Sequence, residues 1–184
     1  MPSKKRIFFT AMLVVSLSAC ATRAPMPTVE SVDLKRFMGD WYVIGNIPTF
    51  LEGDAYNAVE SYALDESGNV PTTFTFNKGG FDGPLKTYKP KGFIKDSKSN
   101  ALWSMQFIWP FKADYRIVYL SEDYQQTIIG RKARDYVWLM ARTPMLSDGD
   151  YQAMVRKTQG LGYDVSKIRK VPQQSLADRT KVRK

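Results

Sequence analysis

Gly39-Asp40-Trp41-Tyr42 opens the first strand-like run of the chain, and about a hundred residues later Leu139-Met140-Ala141-Arg142-Thr143 closes the last one. A tryptophan at the floor of a small barrel seals one end with a large apolar plate. A guanidinium laid over that plate gains cation–π attraction while its donors reach strand carbonyls. Gly39 lets the entering backbone pass close beneath such a floor. A Gly-x-Trp triplet by itself reads equally as an ordinary core tryptophan after a turn, so the intervening segments have to decide.

Between these ends the chain divides into eight segments of strand character: Trp41 to Ile47, Tyr56 to Leu64, Val70 to Asn77, Leu85 to Lys95, Ala101 to Trp109, Asp114 to Ser121, Gln126 to Lys132 and Tyr136 to Arg142. Most connections are short enough for hairpins, among them Asp65 to Asn69, Asp82-Gly83-Pro84, Ser97 to Asn100 and Ala133-Arg134-Asp135. Eight antiparallel strands joined in this way predict an all-β fold, an up-and-down β-barrel. Its interior is wide enough for its own side chains or for one small ligand. Ser147-Asp148-Gly149-Asp150 then starts a helix running to about Gln159. Ser147 is placed as N-cap, Gly160 as the stop, and Tyr151, Met154 and Val155 form one apolar stripe that docks on the outside of the barrel.

Gly39-Asp40-Trp41, Ser121-Glu122-Asp123-Tyr124 at a mid-chain hairpin and Leu139 to Thr143 before the helix, in this order and spacing, resemble the lipocalin family. The likeness is to its bacterial outer-membrane lipoproteins and runs from about Asp33 to Val171. The resemblance implies a hollow barrel, with Gly39, Trp41 and Arg142 in structural roles at its closed end.

Alternation selects the inward positions. The fifth segment puts Trp103, Met105, Phe107 and Trp109 on one face. The sixth puts Tyr115, Ile117 and Tyr119 together, and the eighth Tyr136, Trp138 and Met140, with Val137 and Leu139 outward beneath the helix. Phe74 and Phe76 share a face in the third segment; Ala58, Glu60, Tyr62 and Leu64 do so in the second. The expected ligand-binding set is therefore Tyr62, Phe74, Trp103, Met105, Phe107, Ile117, Tyr119, Trp138 and Met140, with Glu60 as its one carboxylate. Rings and flexible methionines suit an apolar guest. Periodicity alone does not separate a lined cavity from a filled core. Glu60, near Tyr62 and Tyr119, either meets a polar headgroup or trapped water, or is turned outward by a one-residue bulge. Pro48 to Ala55 is the long loop at the open end, carrying Phe50 and Leu51, with Phe111 and Lys112 placed on the same rim.

Composition narrows the chemistry. The 184 residues are 43% hydrophobic and 13% aromatic, enough for one domain with a core. Histidine is absent, which removes Ser-His-Asp and Cys-His nucleophiles and imidazole metal sites. No phosphate-cradling glycine loop occurs. No cofactor, no metal and no enzymatic turnover are expected. The sole cysteine, Cys20, allows no internal disulfide.

The N-terminus has a basic start at Lys4-Lys5-Arg6, an apolar run from Ile7 to Leu17 that is too short to span a bilayer, and Leu17-Ser18-Ala19-Cys20, a match to the bacterial lipobox. Residues 1–19 read as a lipoprotein signal peptide, with cleavage before Cys20 and lipidation of that residue. Residues 20–31 read as an extended tether with Pro25 and Pro27, residues 32–172 as the barrel domain, and residues 173–184 as a flexible basic tail. Ala21 after the cysteine directs such lipoproteins to the outer membrane, on its periplasmic side. Without Lys4, Lys5 and Arg6, 24 basic face 18 acidic residues, a net +6. Those charges are scattered, which speaks against nucleic acid as a partner. The expected partners are a hydrophobic small molecule, a fatty acid or lysophospholipid, and the membrane holding the anchor, with the protein a monomer or weak homodimer. The alternatives are an envelope interaction protein with a filled barrel and an enzyme acting on bound lipid.

Overall fold

The computed structural model describes residues 24–181. The signal peptide and Cys20 lie outside them.

Ten strands form one antiparallel sheet that closes on itself: β1 (Gly39–Ile47), β2 (Ala55–Tyr62), β3 (Asn69–Lys78), β4 (Leu85–Tyr88), β5 (Lys91–Ile94), β6 (Leu102–Ile108), β7 (Phe111–Leu120), β8 (Gln126–Gly130), β9 (Val137–Ala141) and β10 (Arg169–Lys170). Strands β1 to β3 and β5 to β9 pair with chain neighbours, β4 pairs with β3, β10 pairs with β1, and β1 meets β9 from Tyr42↔Ala141 to Ile47↔Val137, which closes the barrel. The fourth expected strand is split at Lys89-Pro90, because proline has no N–H for the ladder. Its halves β4 and β5 both pair with β3, so the barrel has eight strand positions.

Two cores follow from the alternation. The inner one gathers Phe37, Trp41, Tyr62, Phe74, Phe76, Trp103, Met105, Tyr115, Ile117 and Met140. The outer one sandwiches Val118, Ile128, Val137 and Leu139 of the wall against Met154 of helix α2 (Asp148–Gly160). Ser147 caps α2 by accepting from the Asp150 amide at 3.1 Å, as expected from its sequence.

Three departures have identifiable causes. In β7 the register slips between Ile117 and Tyr119, so Val118 and Tyr119 both face outward and only Leu120 returns to the inner side. Tyr119 therefore packs in the outer core, with the Lys157 ammonium 4.4 Å from its ring centre, and does not line the interior. In β6 the register slips after Met105, and the β6–β7 ribbon continues to Ile108↔Phe111; Trp109 at its tip is 82% exposed instead of inward.

The ends of the chain form the third departure. Beyond Tyr42↔Val59, β1 and β2 separate, and the C-terminal segment fills the gap. Gln173 donates to the carbonyls of Val43 (2.7 Å) and Ala58 (3.0 Å), while Gln174 and Asn57 exchange two bonds of 2.8 Å. A short helix, α3 (Leu176–Lys181), follows, with Arg179 over the Tyr42 ring. Residues 173–181 are thus docked instead of forming a flexible tail, because backbone groups left open by the splayed strands need partners. The described part of the expected tether is likewise docked: Val29 donates to the Ile117 carbonyl at 2.9 Å, and Met26 is buried in the outer core.

Candidate functional site

The closed end sets the site's floor. Helix α1 (Leu34–Phe37), N-capped by Asp33, crosses beneath the barrel and inserts Phe37, whose ring lies 5.1 Å from Trp41 and 5.6 Å from both Tyr62 and Trp103. Trp41 is fully buried and donates its indole N–H to the Phe37 carbonyl at 2.9 Å. The Arg142 guanidinium lies 3.9 Å from the Trp41 ring centre. It donates to the carbonyls of Asp40 (2.8 Å), Arg36 (2.7 Å), Phe37 (3.0 Å) and Met38 (2.9 Å). Gly39 has φ +93°, and a Cβ there would stand 3.4 Å from Arg142 Nη1. The middle motif joins the same end: the Tyr124 hydroxyl accepts from the Asp33 amide at 2.9 Å, and Arg36 stacks on its ring at 3.9 Å. Three stretches far apart in sequence thus lock one end of the barrel.

Above this floor the interior is first filled by side chains and then opens. Trp103, Ile117 and Met140, with Tyr62, are buried in the inner core and do not reach the void, so these four expected ligand contacts are floor packing. The void is a cavity of about 380 Å³, lined by Glu60, Phe74, Met105, Tyr115 and Trp138 inside and by the half-exposed Phe107. Toward the opening it is lined by Thr49, Phe50, Leu51, Glu52, Ile108, Phe111, Lys112, Arg131 and Tyr136. Five of the ten positions named from alternation, Glu60, Phe74, Met105, Phe107 and Trp138, border it. Phe111 and Lys112 occupy the rim where their sequence position puts them.

Glu60 points inward and is 5% exposed. The bulge in β2 is real but sits at Asn57, φ +52°, before Glu60, and leaves Glu60 on the inner face. Tyr62 donates to Glu60 Oε2, and the Tyr115 hydroxyl lies against both, 3.2 Å from the same carboxylate oxygen. The tyrosine beside Glu60 is Tyr115, not Tyr119. Burial pushes the Glu60 carboxyl up to about 7, against the lowering effect of the Tyr62 hydrogen bond. Burial also holds both phenols well above their ordinary value. At neutral pH the cavity bottom is a small polar patch, poised between a carboxylic acid and its anion, in an otherwise apolar wall.

Glu52 was not legible as a site residue, since a glutamate between Leu51 and Gly53 reads as a solvated loop position. It turns inward, 5% exposed, and accepts from the Thr49 amide (3.1 Å), the Thr49 hydroxyl (2.9 Å) and the Trp138 indole N–H (3.1 and 3.2 Å). Burial raises its carboxyl pKa. These bonds fasten the 48–54 loop to the cavity wall, where Phe50 is left 87% exposed. Among the described residues no group of acidic, cysteine or histidine side chains is arranged to hold a metal ion.

A family model described as a lipocalin-like domain matches residues 32–173. The chain belongs to the lipocalin family. It is 30% identical over 157 residues to temperature-induced lipocalin-1 of Arabidopsis thaliana, covering 80% of this chain and 83% of that one. It is 28% identical over 160 residues to the outer membrane lipoprotein Blc of Escherichia coli K12, covering 86% and 89%. Among solved structures, insecticyanin from the tobacco hornworm superposes with a TM-score of 0.65 at 15% identity over 85% of this chain and 88% of that one, a likeness of lipocalin fold.

Proposed function

We propose that this lipocalin is held to the periplasmic face of the outer membrane by a lipidated Cys20, and that it binds one single-tailed lipid, a fatty acid or a lysophospholipid, for storage, transport or salvage of membrane lipid. The observation that carries the reading is the cavity. A void of about 380 Å³, bounded by aromatic rings and Met105 and open at one end, is near the lower end of the about 300–1,000 Å³ typical of ligand pockets. That size favours one chain over two, and its existence favours a carrier over a filled interaction barrel. The similarity to an outer membrane lipoprotein supports the location.

The reading is of binding without turnover: the hydroxyls paired with carboxyls beside the void, Thr49 with Glu52 and Tyr62 and Tyr115 with Glu60, fasten the 48–54 loop and the cavity bottom, and burial keeps both phenols protonated. Native mass spectrometry of protein purified from its own envelope is the direct test. The expected result is an adduct with the mass of one fatty acid or lysophospholipid. Delipidated protein should then show a saturable change in tryptophan emission on adding either class, because Trp138 borders the void. The absence of both an adduct and an emission change would rule the carrier out, and a mass-altered lipid after incubation would replace binding with catalysis.

A further inference from the structure

The large exposed aromatic side chains are not spread over the surface. Phe50 (87%), Phe111 (76%) and Phe107 (43%) line the cavity opening together with Ile108, Trp109 (82%) stands beyond them at the tip of the β6–β7 ribbon, and the described residues expose no other aromatic of comparable extent. They come from two unlinked segments, the 48–54 loop and the β6–β7 ribbon, so one hydrophobic hairpin is not the explanation. An apolar collar kept in water is unfavourable unless something covers it.

The course of the N-terminal segment indicates what that is. Val32 donates to the Ser99 carbonyl (2.8 Å) near the closed end. Going back toward the N-terminus, Val29 bonds Ile117, and the Met26 carbonyl accepts from Arg116 (3.2 Å). The Ala24 carbonyl accepts from Arg134 (2.8 Å) in the β8–β9 turn, beside the opening. The segment therefore climbs the outer wall from floor to mouth. Cys20 precedes Ala24 by four residues, at most about 14 Å of extended chain. Lys112 at the start of β7, exposed with its ammonium 3.6 Å from the Phe93 ring centre, and Lys132 in the exposed β8–β9 turn flank the opening, where anionic headgroups would meet them.

We infer that the mouth of the barrel is a membrane-docking face, with Phe50, Trp109 and Phe111 inserted at the lipid surface by an anchor that leaves the protein at the same end. This rests on the lipidated-carrier reading and extends it: guest lipid would pass between monolayer and cavity without crossing bulk water. Aromatic side chains partition to the headgroup level, and several acyl chains make the anchor stable.

The test uses lipidated protein reconstituted into phosphatidylethanolamine–phosphatidylglycerol vesicles with brominated acyl chains. Tryptophan emission should be quenched, and Trp109→Phe should remove most of the quenching that arises at the membrane surface if its ring sits at the interface. Trp109 does not border the cavity, so Trp109→Ser should leave the affinity for lysophospholipid in solution unchanged while slowing uptake from vesicles several-fold. Equal quenching of wild type and Trp109→Phe would mean that the signal arises at Trp138 inside the cavity, which overturns docking and leaves the carrier standing. Lost affinity in the wild type would instead remove the carrier. A Cys20→Ser chain that pairs in solution, with Trp109→Ser restoring the monomer, would assign the collar to a second copy and overturn the inference.

Discussion

At the closed end, one guanidinium donates to four backbone carbonyls while lying on a fully buried indole; at the open end, Phe50, Trp109 and Phe111 stand 76–87% exposed. Both ends are aromatic, so composition does not distinguish them. The difference lies in where polar partners are spent. The floor spends both terminal nitrogens of its clamp on carbonyls that a short crossing helix and a turn would otherwise leave open, and this fixes geometry. The mouth directs its few inward polar groups, Glu52 with Trp138 and Glu60 with Tyr62 and Tyr115, to hold the loop and the cavity bottom, and leaves its rings unpartnered by protein. One end is built for persistence and the other for exchange.

Substitutions should separate the two ends by size of effect. Trp41→Ala is expected to cost about 3–5 kcal/mol of stability, the usual loss for a buried large aromatic. Chemical denaturation measures it, and a loss below about 1 kcal/mol would mean that the floor is not the structural lock.

A second effect comes from Glu60. Its carboxyl titrates at about 7 when folded, against about 4.5 for a solvated glutamate, so the folded state holds more protons than the unfolded state between those values. Stability is then fully present below about 4.5 and falls as pH rises through 7, by up to roughly 3 kcal/mol. Glu60→Gln should flatten this slope in denaturation curves taken across that window. Glu52, raised in the same direction, would supply whatever slope remains.

Nearer the mouth, Trp138→Phe removes the indole donor of Glu52 and should cost about 1–3 kcal/mol by leaving a buried carboxyl short of a partner. Its signature is faster hydrogen exchange confined to residues 48–54, and a global increase would contradict the assignment. Phe50→Ser should change stability by no more than about 0.5 kcal/mol, since an exposed ring loses little on removal. A larger drop in thermal midpoint would show that the rim belongs to the core after all.

The pattern of success along the chain has one cause. The eight strand positions, the Ser147-capped helix and the Trp41–Arg142 clamp were readable because each depends on local alternation, capping chemistry or a compact motif. Alternation left Glu60 open between an inward and a bulged-out position; the bulge falls earlier, at Asn57, so Glu60 stays on the inner face with Ala58 and Tyr62. Tyr119 was misplaced because a register slip after Ile117 turns two successive side chains outward, and nothing in Ile117-Val118-Tyr119 marks it. Lys89-Pro90 could have announced the break between β4 and β5. Glu52 could not have been found, since its inward turn depends on Trp138, 86 residues away.

The sequence by itself determined which side of the wall most residues occupy and how the two cores divide, because side chains alternate along a strand regardless of what it pairs with. Only the tertiary structure decided depth. Tyr62, Trp103, Ile117 and Met140 share a face with the cavity residues but lie beneath them, packed against Phe37 and Trp41. Where filling stops and space begins depends on the summed volumes of rings brought together from many strands and a helix, a quantity that no single stretch of chain contains.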